Sequence, residues 1–310
     1  MTKRLVFFGN ERLSSGFDAT HAPILRSLIA AGYEIAAVVS HYEAGRSRKA
    51  RPLEIQAIAE AYNIPVLLPH SPKEIIDQLR EFKADAGILV AYGRIIPQSI
   101  IDIFPHGIIN IHPSLLPKYR GATPIESAIL NGDAELGVSV MALAKEMDAG
   151  PIYAQDAIAI PADISKNDLT TKALERGASL LETSLPHILD GSLRPTPQDN
   201  GKATYCQLIE KSDGIINWQK SATQINRDIR AYLGWPGSRT TLCEKEVTIL
   251  EAIEPKDEAT LTPVSIGDPV VIKDRLIISC GNATFLEIKK LRPAGRSSMT
   301  AADFLRGVKR

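Results

Sequence analysis

The sequence of 310 residues has no apolar run approaching the ~20 residues that cross a bilayer, which excludes a membrane-spanning helix and any membrane partner of that kind. Cysteine is scarce. Cys206, Cys243 and Cys280 stand far apart, with no Cys-x-x-Cys pair and no neighbouring histidine, so they read as reduced thiols of a cytoplasmic protein and no metal site is expected. An excess of either charge is also missing. The 36 Lys plus Arg balance 36 Asp plus Glu, so overall charge points to no partner. There is no internal repeat and no low-complexity tract. The basic start, Met1-Thr2-Lys3-Arg4, leads into a short apolar run without a cleavage site, and reads as a first strand.

What is present is an alternation of short β-branched runs with segments of helical period. The apolar runs are Leu5–Phe8, Ile35–Val39, Val66–Leu68, Ala86–Val90 and Ile108–Ile111. Between them, Pro23–Ala31, Leu53–Tyr62 and Lys73–Phe82 repeat apolar residues three and four apart, as amphipathic helices do. This pattern predicts an α/β fold with a doubly wound, mostly parallel sheet, Rossmann-like in its layering. A strand over Leu136–Ala144 and a long amphipathic stretch over Lys166–Leu189 complete it. From Asp190 the composition turns to Gly, Pro, Thr, Gln, Asp and Asn, the mark of an exposed linker. Short runs then follow at Val247–Leu250, Pro269–Ile272, Leu276–Ser279 and Ala283–Ile288, with helical spacing over Ala222–Leu233. They predict a second, smaller β-barrel domain of OB-like type with an added helix. The expected division is 1–189, a linker over 190–205, and 206–310.

Ligands of open α/β sheets sit beyond the carboxyl ends of the strands. The strand Gly107–His112 ends in polar residues, and the two-residue period puts Asn110 and His112 on one face. A Pro- and Gly-rich loop follows, then a helical pattern over Pro124–Leu130 that stops at Asn131-Gly132, and later the loop Lys145–Gly150 carrying Asp148. A side-chain amide, an imidazole and a carboxylate at strand ends suit addition to a carbonyl. The amide donates to a developing oxyanion, the imidazole donates or moves a proton, and the carboxylate orients it or accepts a proton through water. Spacing alone leaves the bland reading open, in which the histidine is a hydrogen-bonded structural residue and the other two are turn formers.

The run Asn110-Ile-His112-Pro-Ser114-Leu115-Leu116-Pro117-Lys-Tyr-Arg120-Gly121-Ala-Thr-Pro124, with Gly137-Val-Ser-Val and Met147-Asp148-Ala-Gly150, resembles the signature of 10-formyltetrahydrofolate-dependent formyltransferases. The resemblance implies catalytic roles for Asn110, His112 and Asp148. It also implies that Tyr92, Gly93 and Ile95 of Val90–Pro97 line the folate pocket, bordered by Ser114, Leu115, Leu116 and Pro117. The donor would be 10-formyltetrahydrofolate, with no metal.

The C-terminal half bears on the acceptor. Ala203-Thr-Tyr205, Gly214-Ile-Ile-Asn217-Trp218, Trp235-Pro-Gly237 and the tail Met299–Gly307 resemble the members of the family that formylate methionyl initiator tRNA, which implies that partner. Two basic clusters would face the RNA, because phosphate contacts need only Lys and Arg. One is Arg46, Arg48, Lys49 and Arg51. The other includes Lys289 and Lys290, in a tail whose only acid from Ile288 onward is Asp303. The alternatives are an amino-sugar nucleotide as acceptor, or a folate- or RNA-binding module with a vestigial site. A monomer is expected. The first loop departs from the family's usual Gly-Thr-Pro-x-Phe, running Gly9-Asn10-Glu11-Arg12-Leu13.

Overall fold

The computed structural model describes residues 3–17, 21–40, 54–256, 261 and 264–308. The chain divides into two compact units. The first comprises Met1–Ile125, Ala134–Pro161 and Asn167–Gln207; the second comprises Glu126–Asp133, Ala162–Lys166 and Leu208–Arg310.

In the first unit, Arg4–Gly9 (β1), Glu34–Val39 (β2), Val66–Leu67 (β3), Ala86–Val90 (β4), Ile108–His112 (β5), Glu135–Ala142 (β6) and Ile152–Ala159 (β7) form one sheet. Its order is β3-β2-β1-β4-β5-β6-β7. Strands β1 to β5 pair in parallel and β6 and β7 are antiparallel. The parallel strands are buried on both faces, which is why they read as unbroken apolar runs. Strand β7 lies at the sheet edge and is at most half-buried along nearly all its length, so Gln155 and Asp156 can stand in it and its apolar content is too low to announce a strand. The helices are Pro23–Ala30 (α1), Glu54–Ala61 (α2), Ile76–Glu81 (α3), Gln98–Ile101 (α4), Pro124–Asn131 (α5), which falls to the second unit from Glu126 on, and Lys166–Leu189 (α6). Helix α6 approaches the sheet closely at Gly177, where an added Cβ would lie 2.9 Å from Ile111 Cγ2. Ile111 thus faces α6, and its neighbours Asn110 and His112 point to the opposite side.

The order reverses between β1 and β4, where the chain runs outward to β2 and β3 on one side and to β5 on the other. Crevices form at such reversals, beyond the carboxyl ends of the strands. Residues 190–207 remain with this unit, through bridges from Thr196 to Ile152 and from Tyr205 to Arg120.

In the second unit, Ala222–Ala231 (α7) precedes Ser238–Leu242 (β8), Lys245–Ile253 (β9), Pro269–Ile272 (β10), Arg275–Ser279 (β11) and Phe285–Pro293 (β12). Met299–Thr300 (β13) and Ala301–Val308 (α8) follow. The sheet is antiparallel, in the order β10-β11-β12-β9-β8 with β13 added to β12. Ser221 starts α7 by accepting the Gln224 N–H on its hydroxyl at 3.3 Å. Ile225 and Ile229 of α7 and Phe304 of α8 close over Val247, Ile249, Leu276, Ile278 and Ile288 to make the core. No described helix is long and apolar enough to cross a membrane.

Candidate active site

Gly9 ends β1 at a φ of +127°, and a Cβ there would lie 1.8 Å from the Val90 carbonyl oxygen, so only glycine lets the chain hug β4 as it turns. That oxygen accepts the N–H groups of Asn10 and Glu11 at 3.2 and 3.4 Å. Glu11 turns inward and is fully buried. Its carboxylate receives the N–H of Ile24 at 3.1 Å and of Leu25 at 2.8 Å, donors that the first turn of α1 leaves over, because Ala22 before it has no capping side chain. Burial pushes the Glu11 carboxyl up to about 7, against the pull of the two N–H groups and Arg26. Arg12 comes next, paired with Glu54 at 2.8 Å.

Strand β5 delivers Asn110 and His112, both buried. His112 Nε2 lies 2.9 Å from the Tyr119 carbonyl oxygen. A carbonyl only accepts, so Nε2 carries hydrogen and a neutral imidazole presents a bare Nδ1. That atom faces Asp148 Oδ2 at 3.7 Å, too far for a direct hydrogen bond and suited to a donor held between the two. Asp148 sits at a φ of 49°, and its Oδ2 accepts the Gly121 N–H at 2.8 Å. The Asn110 amide makes no hydrogen bond among the described residues and is free to donate to a ligand.

These three side chains line one cavity of about 650 Å³. Its walls are apolar at Leu89, Ile96 and Leu143, and Ile95 and Met147 stand 85% and 64% exposed at its rim. Among the described lining residues, Arg94 and Lys145 bring positive charge beside the single carboxylate of Asp148, while Arg12 is paired with Glu54. A flat heteroaromatic with an anionic tail matches such a surface.

Other sequence-based site residues divide by position. Gly93 and Ile95 line the cavity. Tyr92 also reaches it, but its ring belongs to the core, edge-on to Phe8 at 5.8 Å, and burial raises its phenol above the usual range. Ser114, Leu115, Leu116 and Pro117 are not among the lining residues. The Ser114 hydroxyl donates to the Lys118 carbonyl at 2.6 Å, and Leu115 packs where a side chain on Gly137 would intrude. Ser139 and Gln155 fasten this loop. The Leu116 N–H donates to Ser139 Oγ at 3.1 Å, and Gln155 Nε2 donates to the Leu116 carbonyl at 2.9 Å.

Arg46, Arg48, Lys49 and Arg51 lie outside the described residues. Lys289 is ion-paired with Glu287, which also holds Arg275, so a single carboxylate is shared by two cations. Lys290 is exposed, across the ladder from Glu251. Sequence reasoning did not name Arg12, Arg94, Lys145 and Met147 as site residues, although Arg94 and Met147 stand in the stretches that carry the resemblance.

Residues 4–185 match the family described as Formyl transferase, and residues 208–309 match Formyl transferase, C-terminal domain. The chain belongs to the formyl transferase family. Among its curated relatives, the methionyl-tRNA formyltransferase of Roseiflexus castenholzii is 34% identical over 313 residues, covering 100% of this chain and 97% of that protein. The methionyl-tRNA formyltransferase of Dehalococcoides mccartyi is 38% identical over 290 residues, covering 91% of each. Solved structures repeat the fold at lower identity. HypX from Aquifex aeolicus in complex with tetrahydrofolic acid has a TM-score of 0.69 at 17% identity over 100% of this chain, which spans only 48% of HypX. An N-formyltransferase from Helicobacter canadensis, in complex with folinic acid and dTDP-3-aminofucose, has a TM-score of 0.67 at 18% identity, covering 93% and 98% of the two chains.

Proposed function

We propose that this protein transfers the formyl group of 10-formyltetrahydrofolate to the α-amine of methionyl initiator tRNA, in the cytoplasm and as a monomer, giving formylmethionyl-tRNA for translation initiation. The observation that carries the chemistry is the meeting of a free amide, a half-engaged imidazole and a carboxylate at one cavity whose remaining walls are apolar. The full-length relatives named methionyl-tRNA formyltransferase support the acceptor.

The amine nitrogen attacks the formyl carbon, and the carbonyl oxygen gains negative charge as the tetrahedral centre forms. Asn110 donates to that oxygen. The amine passes its proton to His112 Nδ1 or, through a water, to Asp148 Oδ2, atoms 3.7 Å apart that one donor placed beside them can reach. The bond from the formyl carbon to N10 then breaks, and N10 takes a proton. No covalent intermediate on the protein is needed, since the nucleophile arrives with the substrate. The pterin lies against the loop of Tyr92 to Ile96, and the exposed Lys290 contributes to the RNA surface.

Purified protein with 10-formyltetrahydrofolate should formylate methionyl-tRNA, with a rate that falls as salt rises. Asn110→Ala should lower turnover by about 100- to 1,000-fold, the usual loss for one oxyanion donor, while tetrahydrofolate still binds. Near-normal turnover in that variant would remove Asn110 from the chemistry. Formylation of amino-sugar nucleotides in preference to methionyl-tRNA would overturn the acceptor.

A further inference from the structure

The stretch that composition marks as a linker holds a side chain aimed at the site. Gln198 Nε2 donates to the carbonyl oxygens of both Asp148 and Gly150, each at 2.7 Å. Its Oε1 accepts from Arg120 Nε at 3.1 Å and Nη2 at 2.8 Å. Carbonyls only accept and a guanidinium only donates, so one orientation of the amide satisfies all four contacts. Arg120 is itself buried, and its other bonds go to Asn200 Oδ1 at 2.7 Å and the Tyr205 hydroxyl at 3.3 Å. The residue after it, Gly121, donates its N–H to Asp148 Oδ2.

These contacts close a circuit. Asp148 is gripped at its main-chain carbonyl by Gln198 and at its carboxylate by Gly121, and the two grips are joined through Arg120. Such a closed set fixes the left-handed backbone of Asp148, a conformation that a non-glycine residue adopts at some cost. Gln198 is not among the cavity-lining residues and therefore acts through Asp148.

We propose that Gln198, locked by Arg120, is a positioning residue that sets the direction of the Asp148 carboxylate toward His112; this rests on the reading that Asp148 serves formyl transfer. The test uses the full chain and two variants. Gln198→Met removes both donors and the acceptor at similar size. Gln198→Glu keeps the acceptor for Arg120 but, when ionised, has no hydrogen to give to the two carbonyls. As the neutral acid it supplies one.

In Gln198→Met, kcat for formyl transfer should fall by about 10- to 100-fold, the scale on which displacement of a reacting group acts, with tetrahydrofolate affinity kept. Hydrogen exchange at the Gly121 amide should quicken while amides of β1, β4 and β5 keep their protection. For Gln198→Glu, the ratio of its kcat to that of the wild type should climb as pH is lowered. Wild-type kcat in Gln198→Met, a flat ratio in Gln198→Glu, or loss of protection across the whole sheet would overturn the proposal. A wild type that forms no formylmethionyl-tRNA would fault the functional reading alone. Gly121 exchange would still decide the positioning, since an unchanged rate in Gln198→Met would end it.

Discussion

Replacing Glu11 with glutamine should remove one loss of stability that the first unit suffers as pH rises. Glu11 is fully buried beneath the start of α1, and burial lifts its carboxyl from the ordinary 4.5 to about 7. At about 1.4 kcal/mol for each tenfold change in proton affinity, that interval corresponds to about 3 kcal/mol. The folded state holds this proton more tightly than the unfolded state. Its contribution is therefore complete below pH 4.5 and is lost as pH rises toward 7. Glutamine has the same shape and does not titrate. The stability of Glu11→Gln relative to the wild type should thus improve by about 3 kcal/mol between pH 4.5 and 7.5, starting from a deficit at the acid end because one of the two backbone N–H groups then faces the amide NH2. Urea unfolding at a series of pH values measures this, but the probe matters. Trp218 and Trp235, the only two tryptophans, belong to the second unit, so their fluorescence follows the wrong part of the chain. Far-ultraviolet circular dichroism, with exchange of the Ile24 and Leu25 amides, reports on α1 directly. A gap between the two proteins that stays constant with pH would refute the reasoning. A wild type that gains on the variant as pH rises would show that the two N–H groups outweigh burial.

Three further outcomes are expected. Gly150→Ala would place a Cβ 1.9 Å from the Ala142 carbonyl oxygen, so the loop carrying Asp148 must move, and formyl transfer should drop by about 100-fold with folate binding less affected, as separate kcat and Kd measurements would reveal. Lys166 and Glu126 are both fully buried with charged atoms 3.8 Å apart, and burial lowers the Lys166 pKa against the pull of Glu126. Glu126→Gln should cost about 3 to 5 kcal/mol in chemical denaturation followed by tryptophan fluorescence, whereas a cost below 1 kcal/mol would mean that the pair is not what holds Lys166 there. Lys290→Ala should weaken binding to methionyl-tRNA and lower the slope of log affinity against log salt by about one, while Lys289→Ala, whose ammonium is tied to Glu287, should change it less. Equal slopes for the two variants would remove that distinction.

The sheet was legible because burial on both faces demands uninterrupted apolar residues, and Leu5–Phe8, Ala86–Val90 and Ile108–Ile111 supply them. The same logic hid β7, an edge strand that needs no such run. Asn110 and His112 could be placed on one face from the two-residue period alone. Asp148 could be placed beside them only by resemblance, since no local rule spans the residues between β5 and its loop. The second unit was readable as antiparallel strands with a helix, though β8 and α8 are too short and mixed in composition to stand out.

The sequence by itself determined the layered α/β unit, the antiparallel unit after it and the polar ending of β5, because periodicity and burial act over a few residues at a time. Tertiary structure alone decided that Glu11 caps a helix more than ten residues away in the chain, that the first loop points Arg12 into the cavity, and that Gln198 reaches across to grip Asp148. Each of these depends on polar groups brought together from distant segments. The need of a buried donor for an acceptor leaves no period in the sequence, so it becomes visible only once the chain has folded.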